Sequence, residues 1–600
     1  MAINCSPFHT ELVSFLHKNA RERVLREGVH PDADPQFKAF QRFIAESTAS
    51  CEVVLPWNEI IDQYHGLFEP RGDLRLEASL FNVFSQKDAK EHGLRIYRGL
   101  PRLYQADRPS NSKVKKYFGD LPTLKRLAVE KSAFRIYDGF PLPEFARVSF
   151  FTWVSQWDDY IAGCKAVETV RERFPELELS WIVLLPSRQR HLRIPKGCKT
   201  HLIVYEQKNT LASIEKEALE ILRTSDLVLQ IPTYFPLFGQ LQEMVGRIGF
   251  SKLPPIWKSF GKHGSIESHQ FHPRSGNCSM GLHFLEKGIL LHRHKNSAYG
   301  FDLLENESLL RWLFATPFPM NEQIERYKET HHFYLADLKS PTGGAIYLHA
   351  LLKLHERDHK GIDLCVPDLR WILSYIDLQN RTGSPILEID GIALELYFQE
   401  KVVPITSGAK KLRLFSPSEI SQKDLRNLFD LSGEFVGIHS DQAFSEAVSA
   451  NKGFFFDTAE STKYFMKDLL ALAENRIGMH RSALKVFRAM GEAAVHNFSP
   501  QEGDWVEESY FQEKTPCMEI AEKIGTALQD PDAVAGFKKL NSIIAEEHPL
   551  NDFLCLFVQR ELCHRTCPDL AVIEDQALSK FASGERSIRQ MMLDLESLKK

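Results

Sequence analysis

The stretch GIHSDQAFSEAVSANKGFFFD, residues 437–457, crowds Ser440, Asp441, Gln442, Ser445 and Glu446 into a turn and a short helix between two apolar runs that read as strands. Side chains three and four residues apart lie on one helix face, so Gln442 shares a face with Ser445 and Glu446. A carboxylate there can accept hydrogen bonds from the diol of a sugar or ribose, and a hydroxyl beside unpaired helix N–H groups can hold a phosphate. Ser440 or Asp441 also suits the N-cap position, which accounts for one polar residue and not for five.

Three other stretches carry chemistry-bearing residues. FTWVSQWDDYIAGCKAVETV (151–170) sets Trp157, Asp158, Asp159 and Gly163 between an apolar strand and a helix, where an Asp serves as a cap, as a catalytic group, or as both. DLKSPTGGAIYLHA (337–350) places Thr342, Gly343 and Gly344 at a matching turn. Paired glycines let a backbone approach a diphosphate closely, and they also describe an ordinary tight turn. The segment 261–291 is dense in His, Ser and Gly and offers Glu267, His269 and His272 from an irregular loop. His269, His272 and His283 lack a local metal-ligand frame and read as loop histidines. Cys563, His564 and Cys567 have neither the C-x-x-C-H spacing nor a second ligand pair, so the thiols read as structural and no metal is expected.

These residues need elements to position them. From residue 147 short apolar runs alternate with amphipathic segments: RVSFFTWV (147–154), SWIVLLP (180–186), THLIVYE (200–206) and DLVLQIP (226–232) as strands, with helices over 160–174 and 211–224. The rhythm repeats from residue 331, with strands at 331–338, 361–367, 384–390, 410–416, 434–440 and 453–457 and helices at 344–356, 368–379 and 417–431. A short hairpin-like stretch precedes residue 410. Continuous apolar strands separated by helices indicate parallel sheets covered on both faces. The expected architecture is α/β, with two Rossmann-like doubly wound domains facing each other across a cleft. The expected boundaries are a mainly helical region over 1–140, α/β domains over 147–300 and 331–480, and a helical region over 481–600, with DGFPLPEFA (138–146) as a linker.

Six hundred residues exceed what one hydrophobic core serves, and 43% hydrophobic with 26% charged residues is a globular composition. The 74 basic and 79 acidic residues leave a net charge of −5, which gives no global attraction to nucleic acid or an anionic membrane. The basic run SKVKKYFGD (112–120) reads as a solvated face. Ten scattered cysteines suit a reducing compartment. With no secretory pattern at the N-terminus and no apolar window long enough to span a membrane, a cytoplasmic location is expected.

The segment SDQAFSEAVSANKGFFF resembles the donor-binding segment of GT-B glycosyltransferases, with strand, polar turn, small-residue helix bearing an acid, and second strand. The resemblance extends over about residues 147–480, although no G-x-G-x-x-G occurs and Asp441-Gln442 stands where some relatives have adjacent acidic residues. It implies sugar transfer from a nucleotide-sugar on the second domain to an acceptor, a protein or a glycan, on the first, with no divalent cation and no further cofactor. It implies that the loop after the first strand carries the catalytic base, with Asp159 foremost, Asp158 beside it, and Glu267 contributed from the acceptor side. Thr342, Gly343, Gly344, Ser440, Asp441, Gln442, Ser445 and Glu446 would hold the donor. A nucleotide-sugar epimerase on the same scaffold and a non-catalytic scaffold protein are the competing readings.

Overall fold

A computed structural model of the 600-residue chain describes residues 33–49 and most of 133–596. Outside it lie 1–32 and 50–132 (Ala20 and Glu130 aside), 187–193, 206–213, 248–253, 264–277, 293–299, 368–391, 405–409, 498–515 and several stretches of one to three residues. The expected helix over 368–379, the strand over 384–390 and the basic run over 112–120 fall there, as does most of the helical region over 1–140. The helix Pro35–Ala49 is described, and residues 138–146 run irregularly into the first strand.

The first α/β domain is built on a parallel sheet of β1 (Arg147–Trp153), β2 (Glu178–Leu185), β3 (Lys199–Val204), β4 (Leu227–Gln230), β5 (Ile256–Gly261) and β6 (Cys278–Ser279), in the order β3-β2-β1-β4-β5-β6. Every pairing in it is parallel. Strand side chains alternate between faces, and the core divides accordingly. Val148 and Phe150 of β1 belong to one cluster and Phe151 to the other, so the strand is apolar on both sides.

The second domain repeats the design. Strands β7 (His331–Leu335), β8 (Gly361–Cys365), β9 (Ile392–Phe398), β10 (Lys401–Pro404) and β11 (Lys410–Ser416) pair in the order β10-β9-β11-β8-β7, with only the β9–β10 hairpin antiparallel. Strands β12 (Phe435–Ile438) and β13 (Gly453–Phe456) pair with each other and extend the sheet through a parallel bridge from Ala336 to Gly437. The run β11-β8-β7-β12-β13 therefore has the order of β3-β2-β1-β4-β5. Each domain has a switch point, at β1/β4 and at β7/β12, where chain direction leaves a crevice beyond the carboxyl ends. Charge buried within this sheet is matched: Asp363 of β8, fully enclosed, accepts two hydrogen bonds from Arg413 (2.7 and 2.6 Å) and one from the Tyr327 hydroxyl (2.6 Å).

The C-terminal helices are shared between the two domains. Ile520, Ile524, Phe537 and Ile544, from helices Cys517–Leu528 and Pro531–Glu547, enter the core of the second domain. Leu550, Phe553, Phe557 and Leu562, from the next helix Leu550–Thr566, enter the core of the first. The chain crosses at His548–Pro549, and there it lies beside Ile289: Ile289 N donates to His548 O and Leu550 N donates to Ile289 O, each at 2.8 Å. Asn551 ties the crossing down by accepting from Leu291 N and donating to Leu291 O and to Thr169 Oγ1.

The helix Trp157–Arg173 follows β1 and approaches it closely at Gly163. A Cβ built there would sit 2.3 Å from Thr152 Oγ1, a hydroxyl already held between the Trp181 indole N–H (2.9 Å) and the Ile231 carbonyl (2.9 Å). Gly163→Ala would gain up to about 1 kcal/mol of helix propensity. It would also overpack a rigid contact at a cost of about 1–3 kcal/mol. The expected outcome is a net loss of stability in denaturant unfolding, and an unchanged midpoint would show that helix and strand separate freely.

Candidate functional site

The site lies where the carboxyl ends of the two sheets meet. Ser440 follows β12 and caps the helix Asp441–Ser449, its Oγ accepting from Ala443 N at 3.1 Å. That short helix is buried on nearly all sides from Gln442 to Val448, which follows from its small and apolar residues and from its seat between the two domains.

The spacing of Gln442, Ser445 and Glu446 does gather them, but on the inward side, and this corrects the expectation that Ser445 and Glu446 hold a ligand. Lys165, from the helix of the first domain, reaches across and makes a 2.8 Å ion pair with Glu446 and a 2.9 Å hydrogen bond to Ser445 Oγ. Ser445 donates in turn to the Leu290 carbonyl, and Arg426 stands 3.8 Å from Glu446. Burial pushes the Glu446 carboxyl up, but Lys165 and Arg426 outweigh it and hold it below its ordinary range. Burial drives the Lys165 ammonium down against the pull of Glu446. Gln442 is buried too, and its Oε1 has no hydrogen-bond partner among the described residues.

Asp159 is likewise committed to structure. Its Oδ2 accepts from Ser155 N (3.0 Å), Ser155 Oγ (2.6 Å) and Gln156 N (3.0 Å), closing the capping box of its helix, while Oδ1 pairs with Lys262 Nζ at 2.7 Å. With every one of these donors on the protein, Asp159 performs the capping role. Its neighbour Asp158 faces the other way, across the domains. The charges of Asp337, His439 and Asp441 and the Ser440 hydroxyl, all of the second domain, act on its carboxyl. Burial first, then the like charges of Asp337 and Asp441, raise its carboxyl to about 6 despite the opposing His439 and Ser440.

His439 donates from Nδ1 to the Asp337 carbonyl at 2.9 Å, with the Asp337 carboxylate 3.6 Å away. Burial lowers its pKa, but Asp337, Asp158 and Asp457 outweigh burial and hold the imidazolium above its usual range. Asp441 Oδ2 accepts from His263 N at 3.2 Å, bringing in the residue that follows β5 by two. Thus the ends of β1 and β5 in one sheet and of β7, β12 and β13 in the other supply the cluster.

The Thr342-Gly343-Gly344 turn has a different use from the diphosphate cradle expected of it. The Gly343 N–H donates to Ser340 Oγ at 2.8 Å and the Gly344 N–H to Ser340 O at 3.0 Å, so neither points at a ligand. A Cβ on Gly343 would meet Asp457 Oδ1 at 2.2 Å, and Asp457 grips the turn through Lys339 N, Ser340 N and Ser340 Oγ. The glycine leaves room for the carboxylate of Asp457, the residue after β13; Thr342, partly buried, is the second residue of that helix.

Glu267, His269, His272 and His283 lie outside the described residues. Cys563 is buried, Cys567 is exposed, and His564 hydrogen-bonds Tyr137, which also donates to Glu574. Asp337, His439 and Lys165 were not anticipated. The first two stand directly beyond strand ends, as Ser440 does, and Lys165 interrupts the apolar run YIAGCKAV.

The resulting corner gathers hydrogen-bond acceptors near one carboxyl raised to about 6, together with the His439 imidazole, whose pKa the neighbouring carboxylates raise. It suits a ligand rich in hydroxyl or other donor groups. The Lys165–Glu446 pair is a sharp target: Lys165→Met strands a buried carboxylate and should cost about 3–5 kcal/mol, whereas Lys165→Met with Glu446→Leu should recover most of it. Chemical denaturation of both variants measures the difference.

No protein-family model matches the sequence, and no curated protein matches it. Among solved structures it is similar to alpha,alpha-trehalose 6-phosphate synthase from Burkholderia multivorans, at 9% identity and a TM-score of 0.35 over 72% of this chain and 98% of that one. It is also similar to Arabidopsis thaliana UGT89C1 complexed with UDP-L-rhamnose, at 9% identity and a TM-score of 0.36 over 70% and 100%. A third is the glycosyl transferase family 9 protein from Veillonella parvula, at 11% identity and a TM-score of 0.31 over 54% and 84%.

Proposed function

We propose that the chain is a GT-B-type glycosyltransferase that moves a sugar from a nucleotide-sugar to an acceptor held between its two α/β domains, with Asp158 as the general base. The observation that carries this reading is the position and titration of Asp158. It sits at the carboxyl end of one Rossmann-like sheet, within the influence of the charges of Asp337, His439 and Asp441 from the other, and is raised to about 6. A base works best when its pKa lies close to the working pH. Asp159 is replaced in that role because its oxygens close a capping box.

In this mechanism an acceptor hydroxyl or amine gives its proton to Asp158 as it attacks the anomeric carbon, and the nucleoside diphosphate departs. Asp337 and Asp441 accept hydrogen bonds from sugar hydroxyls and, by their charge, keep the Asp158 proton affinity high. His439, whose Nδ1 donates to the Asp337 carbonyl, holds Asp337 in place at the corner. The acidic ring disfavours a phosphate directly upon it, so the donor's sugar or ribose, not its diphosphate, meets this corner.

Asp158→Asn should leave nucleotide-sugar binding intact and lower transfer by about 10²- to 10⁴-fold. Binding is read from the rise in melting temperature across a panel of nucleotide-sugars, and transfer from product formation. Full transfer by the variant would remove Asp158 from the mechanism, and donor turnover with no acceptor would point to an epimerase. If no nucleotide-sugar shifts the melting temperature, the transferase reading fails.

The same variant tests the electrostatics without substrate. Because the folded-state carboxyl is raised, the folded protein holds a proton between pH 3.8 and about 6 that the unfolded chain has released, so this group's contribution to stability falls as pH rises through that window. Asp158→Asn should therefore gain stability relative to wild type at pH 8 compared with pH 4, measured by denaturant melts at both values. A difference independent of pH would contradict the raised pKa.

A further inference from the structure

At the opposite, amino-terminal edge of the second sheet, three elements bring together two imidazoles and a carboxylate. His332 is the second residue of β7, His355 closes the helix Pro341–Leu354, and Asp358 lies in the turn that leads into β8. One ligand atom from each lies within 4.8 Å of the others. We infer that His332, His355 and Asp358 form a binding site for a first-row transition-metal dication of the zinc kind, separate from the interdomain corner.

The distances suit such an ion. Zinc takes nitrogen and oxygen ligands at about 2.0–2.2 Å, which in a tetrahedron sets the donor atoms roughly 3.3 Å apart. His332 Nε2 stands 2.5 Å from Asp358 Oδ2 and His355 Nδ1 stands 3.7 Å from the same oxygen, so small side-chain rotations on either side of these values accommodate the ion. The imidazole rings lie side by side with centroids 4.0 Å apart, and a nitrogen of each stands beside the same Asp358 oxygen.

The surroundings orient the donors. Tyr334 OH is 2.6 Å from His355 Nε2; with Nε2 carrying the proton, Nδ1 presents its lone pair toward Asp358. Asp358 Oδ1 accepts from Lys360 N at 3.0 Å, which turns Oδ2 to the two histidines. Such outer hydrogen bonds on both a histidine and a carboxylate are what a metal site requires. The side chains are 26%, 12% and 35% exposed for His332, His355 and Asp358, which leaves an entry path and room for water as the remaining ligand. An ion there would fasten the start of β7, the end of the first helix and the lead into β8, stabilising the half of the protein that holds Asp337 and His439.

The test uses the full chain stripped with EDTA and titrated with Co²⁺, followed by visible absorption, and with Zn²⁺, followed by melting temperature. The expected result is one equivalent bound with a d–d band of a low-coordinate site and a raised melting temperature, both absent from His332→Ala/His355→Ala. Tyr334→Phe, which keeps the ring in place, should weaken binding about ten- to a hundredfold. Affinity should also fall as pH drops below about 6.5, where imidazole takes up protons. If Zn²⁺ does not raise the wild-type melting temperature, or if Tyr334→Phe and the double variant, with circular dichroism unchanged, bind as wild type does, the cluster is a proton-bridged pair and the inference is overturned.

Discussion

The ion pair between Lys165 and Glu446 is the contact on which the arrangement of the rest depends. Two charges removed from water cost several kcal/mol each unless they are matched in distance and hydrogen bonding, and here Ser445 and the Leu290 carbonyl complete the match. An apolar contact between the same helices would tolerate sliding. A charge pair does not, because a shift of one turn leaves a buried ion unpaired. Its register therefore fixes which residue of the first domain's helix faces which residue of the second, and two turns before Lys165 that register brings Asp158 against Ser440.

The corner shows how burial and like charge divide two adjacent carboxylates. Asp159 is stabilised by three protein donors and a lysine, so it serves the helix. Asp158, one residue earlier, has Ser440 and His439 favouring its charged form, against burial and two other carboxylates that outweigh them. The helix geometry forces the two side chains about 100° apart, so one points back at its own N-terminus and the other into the neighbouring domain. The raised Asp158 carboxyl lies among groups whose charges are matched, among them Asp457, which follows β13 and accepts from Lys339 N, Ser340 N and Ser340 Oγ in the turn before Gly343.

Much of the architecture was legible because parallel sheets write themselves as short apolar runs. RVSFFTW, ELSWIVLL and GFFF carry no polar alternation, and both faces of each are covered. Strand β5 was not anticipated, since IWKSFG mixes Lys and Ser into the run and its burial is partial at the start. The candidate site was legible only in outline. The rule that ligands lie beyond strand ends locates Ser440 and Asp441, but a sequence cannot reveal that Ser445 and Glu446 turn toward a lysine 280 residues away. Nor can it distinguish Asp158 from Asp159, because both are ordinary N-terminal helix residues until the second domain is placed beside them.

The two chain crossings at Ile289 and Pro549 have a mechanical meaning. They run parallel, bonded to each other through Ile289 and flanked by Asn551, with Gly288 in a left-handed conformation where a Cβ would strike the His548 carbonyl at 2.3 Å. Two linked ribbons resist bending in the plane that contains them both, so this seam braces the two domains against a sideways swing, and the Lys165–Glu446 pair braces them a second time across the cleft.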